Sequence, residues 1–487
     1  MGEFLIANLA PIMFSALVLF LLIGYPVAFS LAAVGMVFGL LGIHLGLLTP
    51  NLLQALPDRV FGIMKNEILL AIPFFTLMGL VLERSGMAED LLDTIGQLFG
   101  AVRGGLAYAV ILVGALLAAT TGVVAASVIA MGLISLPIML RYGYDPRLAT
   151  GVIAASGTLA QIIPPSLVLI VLADQLGRSV GDMYKGAILP GLILGGLYLG
   201  WVFLNTLFRP HGAPALPPEA RTLRGWALAH RVAVALIPPL VLIFLVLGSI
   251  FIGWATPTEG GALGAVGALL LAFAKGKLNR KMLVEALRAT AKITSFVIFI
   301  LIGASVFSLV FRGVDGDLWV EHLLLDLPGG QLGFLIVVNI LVFLLAFFLD
   351  FFEISFIILP LLAPVAEKLG IDLVWFGILL GVNMQTSFMH PPFGFALFYL
   401  RSVAPPQVRT SDIYWGAVPF VVIQMIMVAL IIAFPNLVTV GLDRPAHLGE
   451  PAPVQLLAPP DDRSGFEPDS RPDDATDLFE RLLKPAH

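Results

Sequence analysis

Charge is scarce in this sequence of 487 residues: only 12% are Asp, Glu, Lys or Arg, whereas 59% are hydrophobic. Because a soluble globular domain carries about a quarter charged residues, the composition excludes an ordinary soluble protein. Cysteine is absent, which excludes disulfides, thiolate nucleophiles, iron–sulfur clusters and Cys-ligated zinc. The sequence has no HExxH or P-loop pattern and no GxSxG with catalytic partners, so we expect no enzyme.

Apolar runs of two lengths follow one another along the chain. They cover 8–23, 26–43, 67–83, 106–119, 124–140, 147–163, 167–176, 186–207, 232–252, 257–274, 293–311, 333–349, 354–366, 374–389, 393–400 and 414–435. A membrane span needs about 20 apolar residues, and pieces of about 10–14 indicate re-entrant or broken helices. We therefore predict an all-α polytopic membrane protein that mixes full spans with shorter pieces.

Positive charge sets the sides of the membrane. Bases cluster in 209–231 and 275–292, and because two spans separate these segments, both are expected in the cytoplasm. Alternating the side of the membrane at each span, outward from these two segments, assigns 16 bases to the cytoplasm and 6 to the outside. This count requires that 106–140 and 333–366 are hairpins. The acidic segment 315–326 and both termini are then predicted to lie outside.

Residues 443–487 hold ten acidic and five basic residues, so the net charge of −5 belongs to this segment alone. The segment is also rich in proline and is predicted to be a disordered, solvated tail. A neutral membrane body with an acidic tail excludes nucleic acid as a partner.

Landmarks recur at a shift of about 227 residues, which predicts an internal duplication. The matched landmarks are Pro11 and Pro238, Pro137 and Pro364, Asp145 and Asp372, and Pro164-Pro165 and Pro391-Pro392. The two halves are 1–228 and 229–442, each with five spans, one re-entrant hairpin and one broken helix. An odd number of spans inverts the second copy, and inverted repeats with matched interruptions indicate a secondary transporter.

The chemistry is expected at the matched interruptions. Proline lacks a backbone donor and frees carbonyl groups, which are tolerated at membrane depth only inside protein or beside a cavity. Such carbonyls suit Na⁺, and half-helix N-termini suit a carboxylate; a simple kink is the alternative. Polar residues precede both breaks. Their two alternative roles are to bind an ion or substrate, or to form hydrogen bonds with neighbouring helices. These polar residues are Thr158, Gln161, Asn383, Gln385, Thr386 and Ser387.

The tip of the second hairpin carries two acids, Asp350 and Glu353, between apolar runs. Carboxylates inside a membrane are costly, so they indicate a functional site. The alternative is an interfacial position or an arginine partner. At the segment 254–261, in contrast, we expect only a helix cap. Either Thr256 or Thr258 is expected to cap the next helix, with Pro257 at its start.

These motifs resemble the large membrane subunit of TRAP transporters, the DctM type, over residues 5–438. They are 162–166 (IIPPS), 255–259 (ATPTE), 348–350 (FLD), 369–372 (LGID) and the segment 383–394. The strings at 348–377 and 386–406 are similar to the branch often labelled for 2-oxo acids, mannitol or chloroaromatic compounds. The resemblance implies a scaffold and a mobile transport domain in the bacterial inner membrane, moving by an elevator mechanism.

The resemblance also implies an inward Na⁺ gradient as the driving force, with Na⁺ as the coupling ion and no other cofactor. The implied partners are a small four-helix membrane subunit, the surrounding membrane lipid and a periplasmic binding protein that delivers an organic acid anion. A self-sufficient Na⁺/carboxylate secondary transporter of similar inverted architecture is the alternative. A non-transporting subunit or intramembrane enzyme is a third class, against which the paired breaks argue.

By resemblance, Na⁺ sites are expected where the hairpin tips meet the broken helices. The implied Na⁺ residues are Thr121, Gly122, Pro164, Pro165, Ser166, Asp350, Asn383, Pro391 and Pro392. The implied substrate residues are Thr121, Gln161, Ser166, Asn383 and Thr386. Two departures from the family pattern matter: Val123 lacks the usual hydroxyl, and His390 replaces the usual Thr. An ion ligand at His390 would have to come from backbone or a neighbour.

Overall fold

A computed structural model describes residues 2–121 and 124–442, and every regular element within them is helical. The α-helices are α1 (Gly2–Ala7), α2 (Leu9–Ile23), α3 (Val27–His44), α4 (Leu56–Met64), α5 (Ala71–Arg84), α6 (Met87–Phe99), α7 (Gly105–Thr121), α8 (Val124–Arg141), α9 (Pro146–Thr158), α10 (Leu167–Leu176), α11 (Val180–Phe208), α12 (Gly225–Phe251), α13 (Pro257–Ala274), α14 (Arg280–Gly313), α15 (Gly316–Leu325), α16 (Gly330–Leu345), α17 (Phe351–Glu353), α18 (Leu359–Lys368), α19 (Leu373–Met384), α20 (Phe395–Val403), α21 (Thr410–Ala433) and α22 (Asn436–Thr439). The predicted tail, 443–487, lies outside the described residues.

Seven of the described helices are long and apolar enough to cross a bilayer, namely α3, α8, α11, α12, α13, α14 and α21. Two bent helix pairs would raise that number to nine. One pair combines Pro50–Met64 with Ile68–Arg84 at 51°, and the other combines α15 with α16 at 118°. Two halves of five full spans would give more, but α2 is short and the α9–α10 and α19–α20 segments are interrupted.

Helix α14 begins much earlier than the sequence predicts. Asn279 caps it, because the side-chain oxygen accepts the N–H of Met282 at 2.9 Å. The part of the basic segment from Arg280 to Lys292 therefore belongs to the helix rather than to a connection. The acidic segment 315–326 likewise contains a helix, α15. Both differences arise because the prediction followed apolar runs, which polar helical turns do not form.

The predicted cap at the start of α13 is confirmed. Thr256 accepts the N–H of Glu259 at 3.3 Å, and the Glu259 carboxylate accepts the N–H of Thr256 at 2.8 Å. This reciprocal capping box satisfies two donors that the first helical turn would otherwise leave open. The cap is Thr256, whereas the Thr258 hydroxyl donates to the carbonyl of Glu67 at 2.6 Å.

The helices pack mainly in two sets. In the first, α3 and α5 lie against α14 and α13. In the second, the two arms α7 and α8 of the first hairpin lie on α9, which also packs on α21, while α19 contacts α10 and α16. The second set buries every residue of α19 and all of α9 from Leu148 onward, so the first halves of both interrupted helices lie inside protein rather than against lipid.

Two glycines bring α9 and α21 into backbone contact. A Cβ atom added to Gly151 would lie 2.1 Å from the carbonyl oxygen of Gly416, and one added to Gly416 would lie 2.2 Å from that of Arg147. The guanidinium of Arg147 also pairs with Asp412 at 3.3 Å. Only residues without a side chain allow this approach, which fixes the first broken helix against α21.

We predict that Gly151→Ala destabilises the protein by about 1–3 kcal/mol, since the added methyl group meets backbone that cannot move aside cheaply. The matched control is Gly200→Ala in the exposed part of α11, where an added Cβ meets nothing within 4 Å. The control should be neutral or slightly stabilising, because Ala favours a helix over Gly. The measurement is the unfolding midpoint in detergent, and equal midpoints for the two variants would refute the contact.

Candidate functional site

Both predicted helix breaks are present. After α9, a 3-10 turn at Leu159–Gln161 leads into non-helical backbone, and α10 starts at Leu167. After α19, a 3-10 turn at Gln385–Phe388 does the same, and α20 starts at Phe395. The Pro164-Pro165 and Pro391-Pro392 peptide bonds are both cis. Each break therefore has the same order of helix, 3-10 turn, proline pair and second helix.

The tip of the second hairpin is built by its two acids. The Asp350 carboxylate accepts the N–H of Glu353 at 2.9 Å, and the Glu353 carboxylate accepts the N–H of Asp350 at 2.9 Å. No described basic side chain pairs with either acid. The predicted arginine alternative is therefore not what the described residues form, and the acids turn the chain into α17 instead.

A π-helical turn, Ile354–Ile358, follows directly and buries Ser355. The Ser355 hydroxyl lies 3.6 Å from the sulfur of Met384, the last residue of α19. π-helical turns are rare and are frequently found at functional sites. The sequence contains no signal for this turn, because the same apolar run is compatible with an α-helical or a π-helical turn.

One cavity of about 1090 Å³ joins these elements. One wall comes from the start of α8, the first break, the second hairpin tip and the end of the second 3-10 turn. The opposite wall comes from the turn between α2 and α3 and from the middle of α14. Three charged side chains of the described residues line it: Asp350, Glu353 and Lys292. The cavity thus lies between the two helix sets, where breaks and hairpins meet.

Gln161 and Asp350 are the predicted site residues that line this cavity. Gln161 is 1% exposed, and neither atom of its side-chain amide has a hydrogen-bond partner among the described residues. Buried polar groups are normally paired, so an unpaired amide at a cavity wall is suited to a ligand or water. Ser166 is engaged locally instead: its hydroxyl donates to the Gln161 carbonyl at 2.5 Å and caps α10.

Asn383 and Thr386 are fully buried and are not among the residues that line the cavity. The Asn383 amide donates to the backbone and side-chain oxygens of Asn339, at 2.8 and 2.9 Å. Its own side-chain oxygen is buried without a partner in the described chain. The Thr386 hydroxyl donates to the Asn383 carbonyl at 2.7 Å. The structure therefore brings Asn383 into direct contact with Asn339.

The two proline pairs have different surroundings. Pro164 and Pro165 are buried, whereas Pro392 is exposed and its carbonyl accepts the Tyr414 hydroxyl at 3.3 Å. His390, next to the second pair, lies between Phe343 and Phe347, with ring centroids 4.4 and 4.0 Å away. Its ring is part of an aromatic cluster and does not line the cavity.

The first hairpin tip is only partly described. Of the predicted residues there, Gly122 lies outside the described residues, and so does Val123. Thr121 ends α7, and its side chain is not among those described. The assignments of Thr121 and Gly122 stay predictions.

Comparison with known proteins gives the family. Residues 14–437 match the model of the DctM component of tripartite ATP-independent periplasmic transporters. The chain is 32% identical to the C4-dicarboxylate TRAP transporter large permease protein DctM of Pseudomonas aeruginosa, over 83% of this chain and 92% of that protein. It belongs to the DctM family of TRAP transporter large subunits.

Other relatives agree with this assignment. The DctM protein of Rhodobacter capsulatus is 31% identical over 88% of this chain and 99% of its own length. The sialic acid TRAP transporter large permease SiaM of Vibrio cholerae is 27% identical over 85% and 93%. The solved YdaH transporter of Alcanivorax borkumensis has a similar fold, with a TM-score of 0.55 at 17% identity, covering 80% of this chain and 90% of that one. These relatives are transporters, and this DctM chain is a multi-pass protein of the inner membrane.

Two residues of this DctM chain were missed by sequence reasoning. Asn339 is a single amide within the apolar run of α16, and that isolation was the available signal. Lys292 was assigned to a cytoplasmic connection, but it lies inside α14 and lines the cavity. The asparagine before Arg280, a common N-cap residue, was the signal for the longer helix.

We predict that Asn339→Ala destabilises the protein by about 1–3 kcal/mol, because a buried N–H of Asn383 loses its acceptor. The matched control is Asn205→Ala, whose half-buried amide bonds only the Trp201 carbonyl of its own helix, at 3.2 Å. Thermal unfolding in detergent measures both. If the two variants lose the same stability, the contact between Asn339 and Asn383 carries no special weight.

Proposed function

We propose that this DctM chain is the transporting subunit of a Na⁺-coupled importer of small organic acid anions. The observation that carries the proposal is the cavity in which the second hairpin tip and both helix breaks meet. Its lining combines two carboxylates with one ammonium group, Lys292. A site that holds charges of both signs suits a cation and an anion bound together.

The cation side rests on the second hairpin tip. Asp350 and Glu353 have no described basic partner, and one oxygen of each is used by the capping box. A carboxylate at membrane depth that no base neutralises favours a bound cation. Na⁺ is the expected ion from the resemblance. The full set of expected ligands remains proposed: Thr121, Gly122, Pro164, Pro165, Ser166, Asp350, Asn383, Pro391 and Pro392.

The anion side is supported by the names of the relatives. Two are named for C4-dicarboxylates and one for sialic acid, and both kinds of compound carry carboxylates. Thr121, Gln161, Ser166, Asn383 and Thr386 are the proposed substrate residues. Gln161 has the strongest support among them, because its unpaired amide lines the cavity.

The proposed partners rest on the family, and the proposed orientation in the membrane rests on the basic residues. As the large component of a tripartite system, the chain is proposed to act with a small four-helix membrane subunit and a periplasmic binding protein. The sorting of the basic residues supports a cytoplasmic position for 209–231 and 275–292 and a periplasmic position for both termini.

An inverted repeat and an elevator mechanism are part of the proposal. The two breaks share one order of elements, and both α9 and α19 have an Asp as N-cap: Asp145 accepts the N–H of Arg147, and Asp372 accepts that of Trp375. These matches support a duplication with halves 1–228 and 229–442. The two helix sets on either side of the cavity would be the scaffold and the moving domain.

The test is uptake into proteoliposomes that contain the chain and its small membrane subunit. A binding protein loaded with a radiolabelled carboxylate is added outside, under an inward gradient of Na⁺, K⁺ or choline. We expect uptake with Na⁺ alone, because coupling requires that Na⁺ and substrate raise one another's affinity. Equal uptake in K⁺ or choline would remove the Na⁺ claim.

The same vesicles distinguish the tripartite importer from the alternative function. Leaving out the binding protein or the small subunit should abolish uptake. Undiminished uptake by the chain alone would instead identify a self-sufficient Na⁺/carboxylate transporter.

A further inference from the structure

Lys292 is an exposed lysine that directly precedes the apolar part of α14, 293–311. It lies about 18 Å along α14 from Arg280, at a rise of 1.5 Å per residue. It faces the cavity and is the only base among the described residues that line it. Its side chain is exposed to this open space and is therefore accessible to a ligand that enters the cavity.

No described carboxylate is an ion-pair partner of Lys292. Other bases near the first helix set do form ion pairs: Arg84 with Glu285, and Lys275 with Asp90. Lys292 forms none, although Asp350 and Glu353 line the same cavity. Those two acids each take up a backbone N–H of the capping box. The ammonium group is thus left for something that enters the cavity.

The wall beside Lys292 also restricts the rest of such a ligand. Phe296 and Phe299 follow on the same helix, and Phe352 faces them from the hairpin tip, with its ring 5.9 Å from that of Phe296. Aromatic rings favour hydrocarbon over hydroxyl groups, because hydroxyls would lose their hydrogen bonds to water. Ser295 and Gln161 are among the few polar groups nearby.

We propose that Lys292 binds a carboxylate group of the substrate, and that the phenylalanines beside it receive a hydrocarbon body. This proposal rests on the proposed transport function and adds a residue that selects for anions. Lys292 acts from α14, opposite the hairpin tip, so the anion would be held between the two helix sets. The cation-binding acids and the anion-binding base then lie on opposite walls.

The absence of cysteine from the chain allows a direct test. Ser295→Cys places one thiol on the face of Lys292, since residues three apart on a helix are neighbours. We compare its labelling rates with an anionic and a cationic methanethiosulfonate of similar size. Lys292→Gln should lower the anionic-to-cationic rate ratio by about tenfold, because loss of one nearby positive charge slows the anionic reagent and speeds the cationic one. Lys292→Arg should keep the ratio high.

The matched control is Lys281→Gln, which removes an exposed lysine of the same helix outside the cavity. It should leave the ratio unchanged. An unchanged ratio in Lys292→Gln, or an equal change in Lys281→Gln, would overturn the proposal.

Two sugar-sized acids test the hydrocarbon body. Hexanoate and gluconate both have six carbons and one carboxylate, but gluconate carries hydroxyl groups. At equal concentrations, hexanoate should slow labelling of the Ser295→Cys thiol more than gluconate does, and Lys292→Gln should abolish this protection. Equal or stronger protection by gluconate would contradict the assignment of the aromatic wall.

Uptake kinetics separate substrate binding from internal neutralisation. If Lys292 binds substrate, Lys292→Gln should raise KM about 10- to 100-fold, the loss of a charged hydrogen bond. Adding Glu353→Gln, which can still form the capping box, should not bring the KM of Lys292→Gln back to the wild-type value. Restoration by Glu353→Gln would show that Lys292 only neutralises that acid. Because labelling needs neither Na⁺ nor partners, a failure of Na⁺ coupling and a failure of the Lys292 proposal remain distinguishable.

Discussion

Backbone hydrogen bonding inside a bilayer constrains everything else in this protein. Each N–H and C=O at membrane depth needs a partner, and hydrocarbon offers none. Two helices nevertheless stop at proline pairs, after Gln161 and after Phe388. The first break is enclosed, because α7, α8 and α21 surround α9 and because Pro164 and Pro165 are buried. At the second break, α19 is buried along its whole length, whereas Pro392 and Phe393 are exposed.

The same constraint explains why the charges lie where they do. Asp350 and Glu353 serve first as caps that let the chain turn inside the protein, which is a structural reason for two acids at that tip. Their position on the cavity, opposite Lys292, gives them a second use as charges that face a ligand. A structural and a functional explanation therefore apply to the same residues, and the capping bonds alone do not separate them.

Much of the fold could be predicted because it follows composition and periodic runs. The segments 167–176 and 257–274 match α10 and α13 residue for residue, since caps and glycines bound them clearly. Polar helical turns could not be found that way, and so α6, α15 and the first part of α14 were missed. Similarly, the resemblance assigned Asn383 to the Na⁺ site at Asp350, but it gave no indication that the Asn383 amide bonds Asn339.

The cavity itself was beyond prediction from sequence. It joins residues as distant as Gln161, Lys292 and Asp350, and only tertiary packing shows that they share one space. The π-helical turn after the hairpin tip was equally hidden. What sequence reasoning did supply was the list of elements that meet there, namely both breaks and the second hairpin.

The central claim is that this cavity binds Na⁺ through Asp350. The most direct measurement is the unfolding midpoint of the purified chain in NaCl against KCl at equal ionic strength, because a bound ion stabilises the folded state. Asp350→Asn is compared with Asp372→Asn, since both acids cap a helix through a 2.9 Å bond and Asn can replace either cap. We expect Na⁺ to raise the midpoint of the wild type and Asp372→Asn but not of Asp350→Asn; an equal rise in all three, or none in the wild type, would contradict the claim.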